Sequence, residues 1–131
     1  MSVTKYKTDR AGYVCRIIRV AEADANHIKE QCEDHGLTLL TFYEGSASAY
    51  LQARDRSEKG PIVPTPFNTP FHVFTVRLSP PTFARLDELA REEGLNLGRI
   101  LATMMMYGSA LLDTPEGLRH FVPPEGLTNK S

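Results

Sequence analysis

Side chains able to do chemistry are sparse in this chain, and their spacing decides which chemistry is open to them. Four histidines and two cysteines are present, and only His27, Cys32 and His35 come near one another. Metal ligands on one helix lie three or four residues apart, whereas these are separated by five and by three, a poor match to a zinc site. No glycine-rich phosphate loop, nucleophile elbow or carboxylate pair at a plausible site occurs. The chain is therefore expected to be non-enzymatic, with no metal and no cofactor. The run Met104, Met105, Met106 offers an adaptable binding surface, but its segment is so apolar that a core position is expected instead.

The balance of residues narrows the field further. Of 131 residues, 41% are hydrophobic and 24% charged, and 15 Lys and Arg face 16 Asp and Glu for a formal charge of -1. That is the composition of an ordinary globular chain, and it argues against binding polyanions through bulk charge. Any basic surface must be local. No apolar run approaches the roughly 18 to 20 residues that a membrane span needs, so no membrane partner is expected. The start, MSVTKYKTDR, lacks the apolar stretch of a secretory signal, and Cys15 and Cys32 fit a reducing compartment as free thiols. A cytoplasmic protein is expected.

Self-similarity gives the chain its organisation. Shifted against itself by 58 residues (94 minus 36), the chain brings Gly36 onto Gly94, Leu37 onto Leu95 and Leu39 onto Leu97. The same shift lays Ile18 on Val76, Arg19 on Arg77, Val20 on Leu78, Ile28 on Leu86 and Cys32 on Ala90. Polar and apolar classes agree over about forty residues, as an internal repeat requires. Cys32 then belongs to a core, whereas His27 and His35 fall on the surface positions of Arg85 and Glu93.

Each copy reads as strand, helix, turn, helix. In Phe71–Leu78 the residues Phe74, Val76 and Leu78 share one face, and Val73, Thr75 and Arg77 the other, the pattern of a half-buried ribbon. Ser79 offers an N-cap, and Pro80 and Pro81 suit a first helical turn whose N–H groups have no partner in any case. Phe83, Leu86, Leu89 and Ala90 follow at helical spacing until Gly94 stops the helix. Asn96 can cap a second helix, 97 to about 112, which is apolar nearly all round and must be buried. The first copy repeats the order: a strand over 13–20, a helix over 22–35, Gly36 as stop, Thr38 as cap, and a helix from 39 to about 53.

The second helices differ in bulk. Gly45, Ser46, Ala47, Ser48 and Ala49 stand where the other copy has Thr103, Met104, Met105, Met106 and Tyr107. Small residues facing large ones would favour each copy pairing with the other. A loosely packed helix is the plainer reading. Between the copies, Pro61, Pro64, Pro66 and Pro70 mark a stiff crossover linker. The expected divisions are a basic arm over 1–11, a first unit over 12–53, the linker over 54–70, a second unit over 71–112, and a short C-terminal helix and tail over 113–131. That last helix is expected to start near Asp113, Thr114, Pro115 and Glu116, to run to about Phe121, and to end before Pro123 and Pro124.

A strand followed by two helices, the first closed by Gly and the second opened by a small polar cap, resembles the ribbon-helix-helix family of DNA-binding proteins. The likeness is strongest over residues 74–101, FTVRLSPPTFARLDELAREEGLNLGRIL, and extends through the repeat to 15–51. The resemblance implies an α+β, mostly α fold in which two fused ribbon-helix-helix units form an intramolecular pseudo-dimer with a two-stranded antiparallel ribbon. Such tandem chains are similar to relaxosome accessory proteins of conjugative plasmids and border-binding accessory proteins of T-DNA transfer.

In that family the ribbon enters the major groove, where alternate outward side chains meet base edges. Period two then selects Val73, Thr75 and Arg77, with Cys15, Ile17 and Arg19, as the readers. Arginine pairs with guanine, threonine bonds or touches the thymine methyl, and the apolar readers can only touch methyl groups. The alternative is that Cys15, Ile17 and Val73 lie against protein and leave two solvated arginines. The resemblance also implies a phosphate at the start of each second helix, where free N–H groups and the helix dipole favour an anion. The matching positions are Thr38, Leu39 and Leu40, and Asn96, Leu97 and Gly98, with Arg99 close by. Plain helix capping by Thr38 and Asn96 is the simpler reading. Lys5, Lys7 and Arg10 form a basic arm placed to follow a phosphate backbone, or else a solvated tail, and Arg54, Arg56 and Lys59 carry the same ambiguity.

The expected function is that of a double-stranded DNA-binding accessory factor of conjugative or T-DNA transfer, or of a repressor with the same fold. A single ribbon spans few base pairs, so a second copy on the DNA and other transfer proteins are expected partners. The rival is an interaction adaptor that keeps the fold without reading DNA, using Ile17, Val73 and the linker. An antitoxin-like regulator fits less well, since those carry one copy and a long tail.

Overall fold

A computed structural model describes residues 6–56 and 69–121 of the chain. The fold is α+β and mostly helical: four α-helices and one two-stranded antiparallel sheet among the described residues. In chain order these are β1 (Val14–Ala21), α1 (Glu22–His35), α2 (Leu39–Asp55), β2 (Phe71–Leu78), α3 (Pro80–Glu92), α4 (Leu97–Leu112) and a 3-10 helix, Gly117–Phe121. The first strand thus opens one residue later than expected and runs on through Ala21, and α2 continues past Ala53 to Asp55. Lys5, the linker residues Lys59, Pro61, Pro64 and Pro66, and Pro123 and Pro124 lie outside the described residues.

The strands pair across the molecule, with Val14 opposite Leu78, Ile17 opposite Thr75 and Ala21 opposite Phe71. Val14, Ile18, Val20, Phe74, Val76 and Leu78 point inward and are buried, as strand alternation requires. Beneath them, Ile28, Phe42, Phe83, Leu86, Ile100, Leu101, Met104 and Met105 complete one apolar cluster drawn from every helix.

Helix ends follow one local chemistry twice. Gly36 and Gly94 adopt left-handed backbone (φ 67° and 65°), which only glycine accepts freely, after α1 and α3. Leu37 N–H then bonds Cys32 O and Leu95 N–H bonds Ala90 O, each at 2.8 Å, closing both helices in the same motif. Thr38 Oγ1 accepts from Thr41 N–H (3.1 Å) and Asn96 Oδ1 from Arg99 N–H (3.3 Å), opening α2 and α4 alike. All ten positions form pairs related by the same shift of 58 (94 minus 36).

The start of α3 departs from the expected cap. Ser79 occupies the N-cap position, but its hydroxyl bonds Thr82 Oγ1 (3.0 Å), and its own N–H donates to Glu44 Oε2 (2.6 Å). A carboxylate of α2 therefore sits at this positive helix end, where negative charge is favoured.

The small-residue stretch of α2 makes two close contacts that its composition alone does not assign. In one of them small meets small: a Cβ on Gly108 would lie 2.6 Å from Ser46 Cβ and would collide with Ser46 Oγ. Gly45 makes room instead for the 3-10 helix, since a Cβ there would meet His120 O at 2.8 Å and Phe121 Cδ1 at 2.5 Å. Phe121 stacks on Phe42 with ring centroids 5.8 Å apart. Against expectation, α4 is not buried all round: Met104 and Met105 are enclosed, while Met106, Tyr107 and Leu111 are half-buried and Ala110 is exposed. A polar pin joins α1 to α4, with Gln31 Nε2 donating to Ser109 O and Asp113 Oδ1 (both 2.9 Å) and Ser109 Oγ donating to Gln31 Oε1 (2.6 Å). Each member of the pin is satisfied, so its burial carries little penalty.

Candidate nucleic-acid interface

The outward face of the sheet brings together all six side chains singled out by period two. Cys15 lies opposite Arg77, Ile17 opposite Thr75 and Arg19 opposite Val73. Ile17 is 72% exposed and Val73 53%, so neither rests against protein; Thr75 and Arg19 are exposed as well. Phe71, paired with Ala21 on the same face, is 43% exposed. Three large apolar side chains thus stand in water on a two-stranded ribbon, which calls for a functional reason.

Each arginine of this face leans on an aromatic ring from the other strand's copy. Arg19 lies over Phe71 (5.1 Å to the ring centroid) and Arg77 over Tyr13 (4.8 Å). Both rings come from the shift of 58, since Tyr13 corresponds to Phe71 and Arg19 to Arg77. Stacking fixes the guanidinium planes and orders the long side chains before any partner arrives.

The two ends then diverge. Residues 6–13 fold back on the protein and do not form a free arm: Thr8 bridges to Val14, Tyr6 packs edge-on against Phe83 (4.8 Å), and Tyr6 Oη donates to Asp87 (3.0 Å). Within this turn Asp9 Oδ1 accepts the N–H groups of Ala11 (3.0 Å) and Tyr13 (2.9 Å). Asp9 Oδ2 receives Arg77 Nε at 2.9 Å, lies 2.9 Å from its Nη2, and takes a longer contact of 3.6 Å from the Cys15 thiol. Arg77 is thus an ion-paired residue and not the free reader expected. Asp9 is held below the usual carboxylate range, first by the Tyr13 N–H and then by Arg77. The pair therefore persists at neutral pH and is released only as pH falls through that lowered value. Among the described residues no carboxylate pairs with Arg19.

The other expected contacts are placed as follows. Thr38 and Leu39 are exposed at the start of α2, Leu40 is half-buried, and the N–H groups of Leu39 and Leu40 carry no hydrogen bond among the described residues. Asn96 is exposed at the start of α4, with Leu97 and Gly98 half-buried and their N–H groups likewise unpaired. Arg99 is half-buried with Nε enclosed and without a partner, so its stem runs along the protein. Lys7 and Arg10 are exposed in the folded turn. Arg54 pairs with Glu93. Among the described residues no three His, Cys, Asp or Glu side chains converge as metal ligands, and no helix is long and apolar enough to cross a membrane. Cys32 is buried, its thiol pushed up to about 11 by that burial, and His27 instead lies 3.8 Å from Asp113.

Sequence reasoning missed Asp9, Tyr13 and Phe71. The two rings were visible as a pair at the repeat spacing, and Asp9 with Gly12 has the make-up of a turn that returns on itself. What joins Asp9 to Arg77 is tertiary. Comparison of the chain with protein-family models, with curated proteins and with solved structures gave no match.

Proposed function

We propose that this chain is a non-enzymatic, double-stranded DNA-binding protein built as a single-chain pseudo-dimer of the ribbon-helix-helix kind, with its ribbon seated in the major groove. One observation carries the reading: the ribbon register and the repeat share one arithmetic. Ile17 pairs with Thr75, and these two positions are themselves 58 apart (75 minus 17), so a pseudo-two-fold axis would pass between them. The exchanged stacks, Arg19 on Phe71 and Arg77 on Tyr13, follow the same axis. A two-stranded ribbon fits the major groove, and two arginines flanking a central isoleucine and threonine present donors for guanine and methyl contacts for thymine. The formal charge of -1 leaves affinity to these local groups and to the helix ends, so binding is modest and sensitive to salt. A role in conjugative or T-DNA transfer rests on the resemblance alone, and a repressor with this fold would use the same face.

The exposed apolar group Ile17, Val73 and Phe71 favours a second reading, an adaptor whose ribbon meets a protein partner. A fluorescence-anisotropy titration with duplex DNA from the chain's own genomic neighbourhood separates the two. Under the DNA reading, Arg19→Ala with Arg77→Ala weakens binding by about ten- to a hundredfold and flattens its salt dependence. Unchanged binding in the double variant would sink the ribbon reading, and wild type without salt-dependent binding would favour the adaptor.

A further inference from the structure

The two ends of the outward face are alike in their stacked arginines and unlike in what holds them. Arg77 is gripped on its Nε and Nη2 side by one carboxylate oxygen of Asp9, while the other oxygen is fixed by the N–H groups of Ala11 and Tyr13. The Tyr13 ring supports the guanidinium from its face. A flexible cation has thereby become a fixed fork whose Nη1 has no partner among the described residues, and whose charge is balanced. Among the described residues Arg19 has the Phe71 ring and no carboxylate. The position that answers to Asp9 under the shift of 58 is a phenylalanine, Phe67, so the repeat itself does not supply a second carboxylate.

We propose that Asp9 is a specificity-determining residue: it orients Arg77 as a pre-set guanine reader at one end of the ribbon, while Arg19, stacked on Phe71 but held by no carboxylate among the described residues, is the less constrained cation at the other. The chain then recognises an asymmetric duplex site in a single orientation, although its ribbon derives from a repeat. This inference rests on the DNA-binding reading above. Physically, a fork already held in place loses little freedom on meeting a guanine edge and rejects a base that cannot accept both of its hydrogens. A charge-balanced arginine adds little attraction for phosphate, so Arg19, which no carboxylate of the described residues pairs, supplies the salt-dependent share.

Asp9→Asn is the informative variant, because its side-chain oxygen can still accept from Ala11 and Tyr13 while Arg77 loses its counter-charge. The full-length protein, its Asp9→Asn and Arg77→Lys variants are each used to select from a pool of duplexes randomised over their central base pairs. Melting by circular dichroism checks the fold. Wild type should enrich a site with a strong guanine preference at one flank only. In Asp9→Asn that preference should fall about tenfold while the other positions are kept. Binding to mixed-sequence duplex should become no weaker and steeper in salt, since a cation has been freed. A role confined to folding the turn would instead weaken binding at every sequence. Arg77→Lys should lose the same guanine, because an ammonium cannot form the fork. A symmetric consensus, no consensus, or one unchanged in Asp9→Asn overturns the inference and leaves the DNA-binding reading standing. Absence of salt-dependent binding by wild type overturns both.

Discussion

Ile17→Asp should weaken duplex binding by at least about a hundredfold while leaving the melting temperature within a few degrees of wild type. Ile17 stands at the centre of the ribbon opposite Thr75 and is 72% exposed, so its replacement removes almost no core packing. On an exposed strand position the intrinsic preference among residues spans only about 1 kcal/mol. A carboxylate in the floor of a groove walled by phosphates meets like charge with water displaced, which costs several kcal/mol. Ile17→Lys supplies the opposite sign. It should tighten binding to mixed-sequence duplex and steepen the salt dependence by up to about 0.9 in slope. The adaptor reading predicts another pattern, since both charges would spoil an apolar contact equally. Anisotropy titrations of the two variants at two salt concentrations therefore decide by direction as well as by size.

Gly108→Ala should destabilise the chain by about 2 kcal/mol or more, in spite of alanine's better helix propensity. The added Cβ would lie 2.6 Å from Ser46 Cβ and 3.3 Å from Ser46 Cα, so rotation of the serine hydroxyl cannot relieve the clash and α2 and α4 must move apart. At this chain length such a loss lowers the melting temperature by on the order of 10 °C. Ser46→Gly alone should be mild. Ser46 Oγ is buried without a hydrogen-bond partner, so its removal ends one unfavourable burial at the expense of helix propensity. Combining the two changes should restore most of the stability, because glycine at 46 makes the room that alanine at 108 needs. Thermal melts of the four proteins in a double-mutant cycle measure this coupling. Strict additivity would mean that the helices do not cross at this pair.

These two sites also mark where the sequence was transparent and where it was not. The stops at Gly36 and Gly94 and the caps at Thr38 and Asn96 were legible because left-handed glycine and side-chain capping involve residues only a few positions apart. The outward face was legible because strand alternation places Ile17 and Thr75 away from Ile18 and Val76 whatever lies beneath. The small stretch around Gly45 and Ser46 announced close packing but not its object. That depended on where the 3-10 helix and Gly108 came to lie, which is set by the whole core. Asp9 and Glu44 escaped notice for the same reason, since their partners Arg77 and Ser79 lie 68 and 35 positions away along the chain. Of two arginines alike in the sequence, Arg77 was therefore the clamped one, and Ser79, expected to cap α3 with its side chain, instead bonds Thr82 Oγ1 and gives its own N–H to Glu44.

The central claim, a ribbon lying in the major groove, is tested most directly by the reactivity of guanine N7 toward dimethyl sulfate, because that atom opens only into this groove. With a duplex saturated by the full-length chain, the account predicts one short protected tract, lost when Ile17→Asp or the double arginine variant replaces wild type at the same concentration. A saturated duplex whose guanines all react as in free DNA, or a protected tract that survives Ile17→Asp, would contradict it.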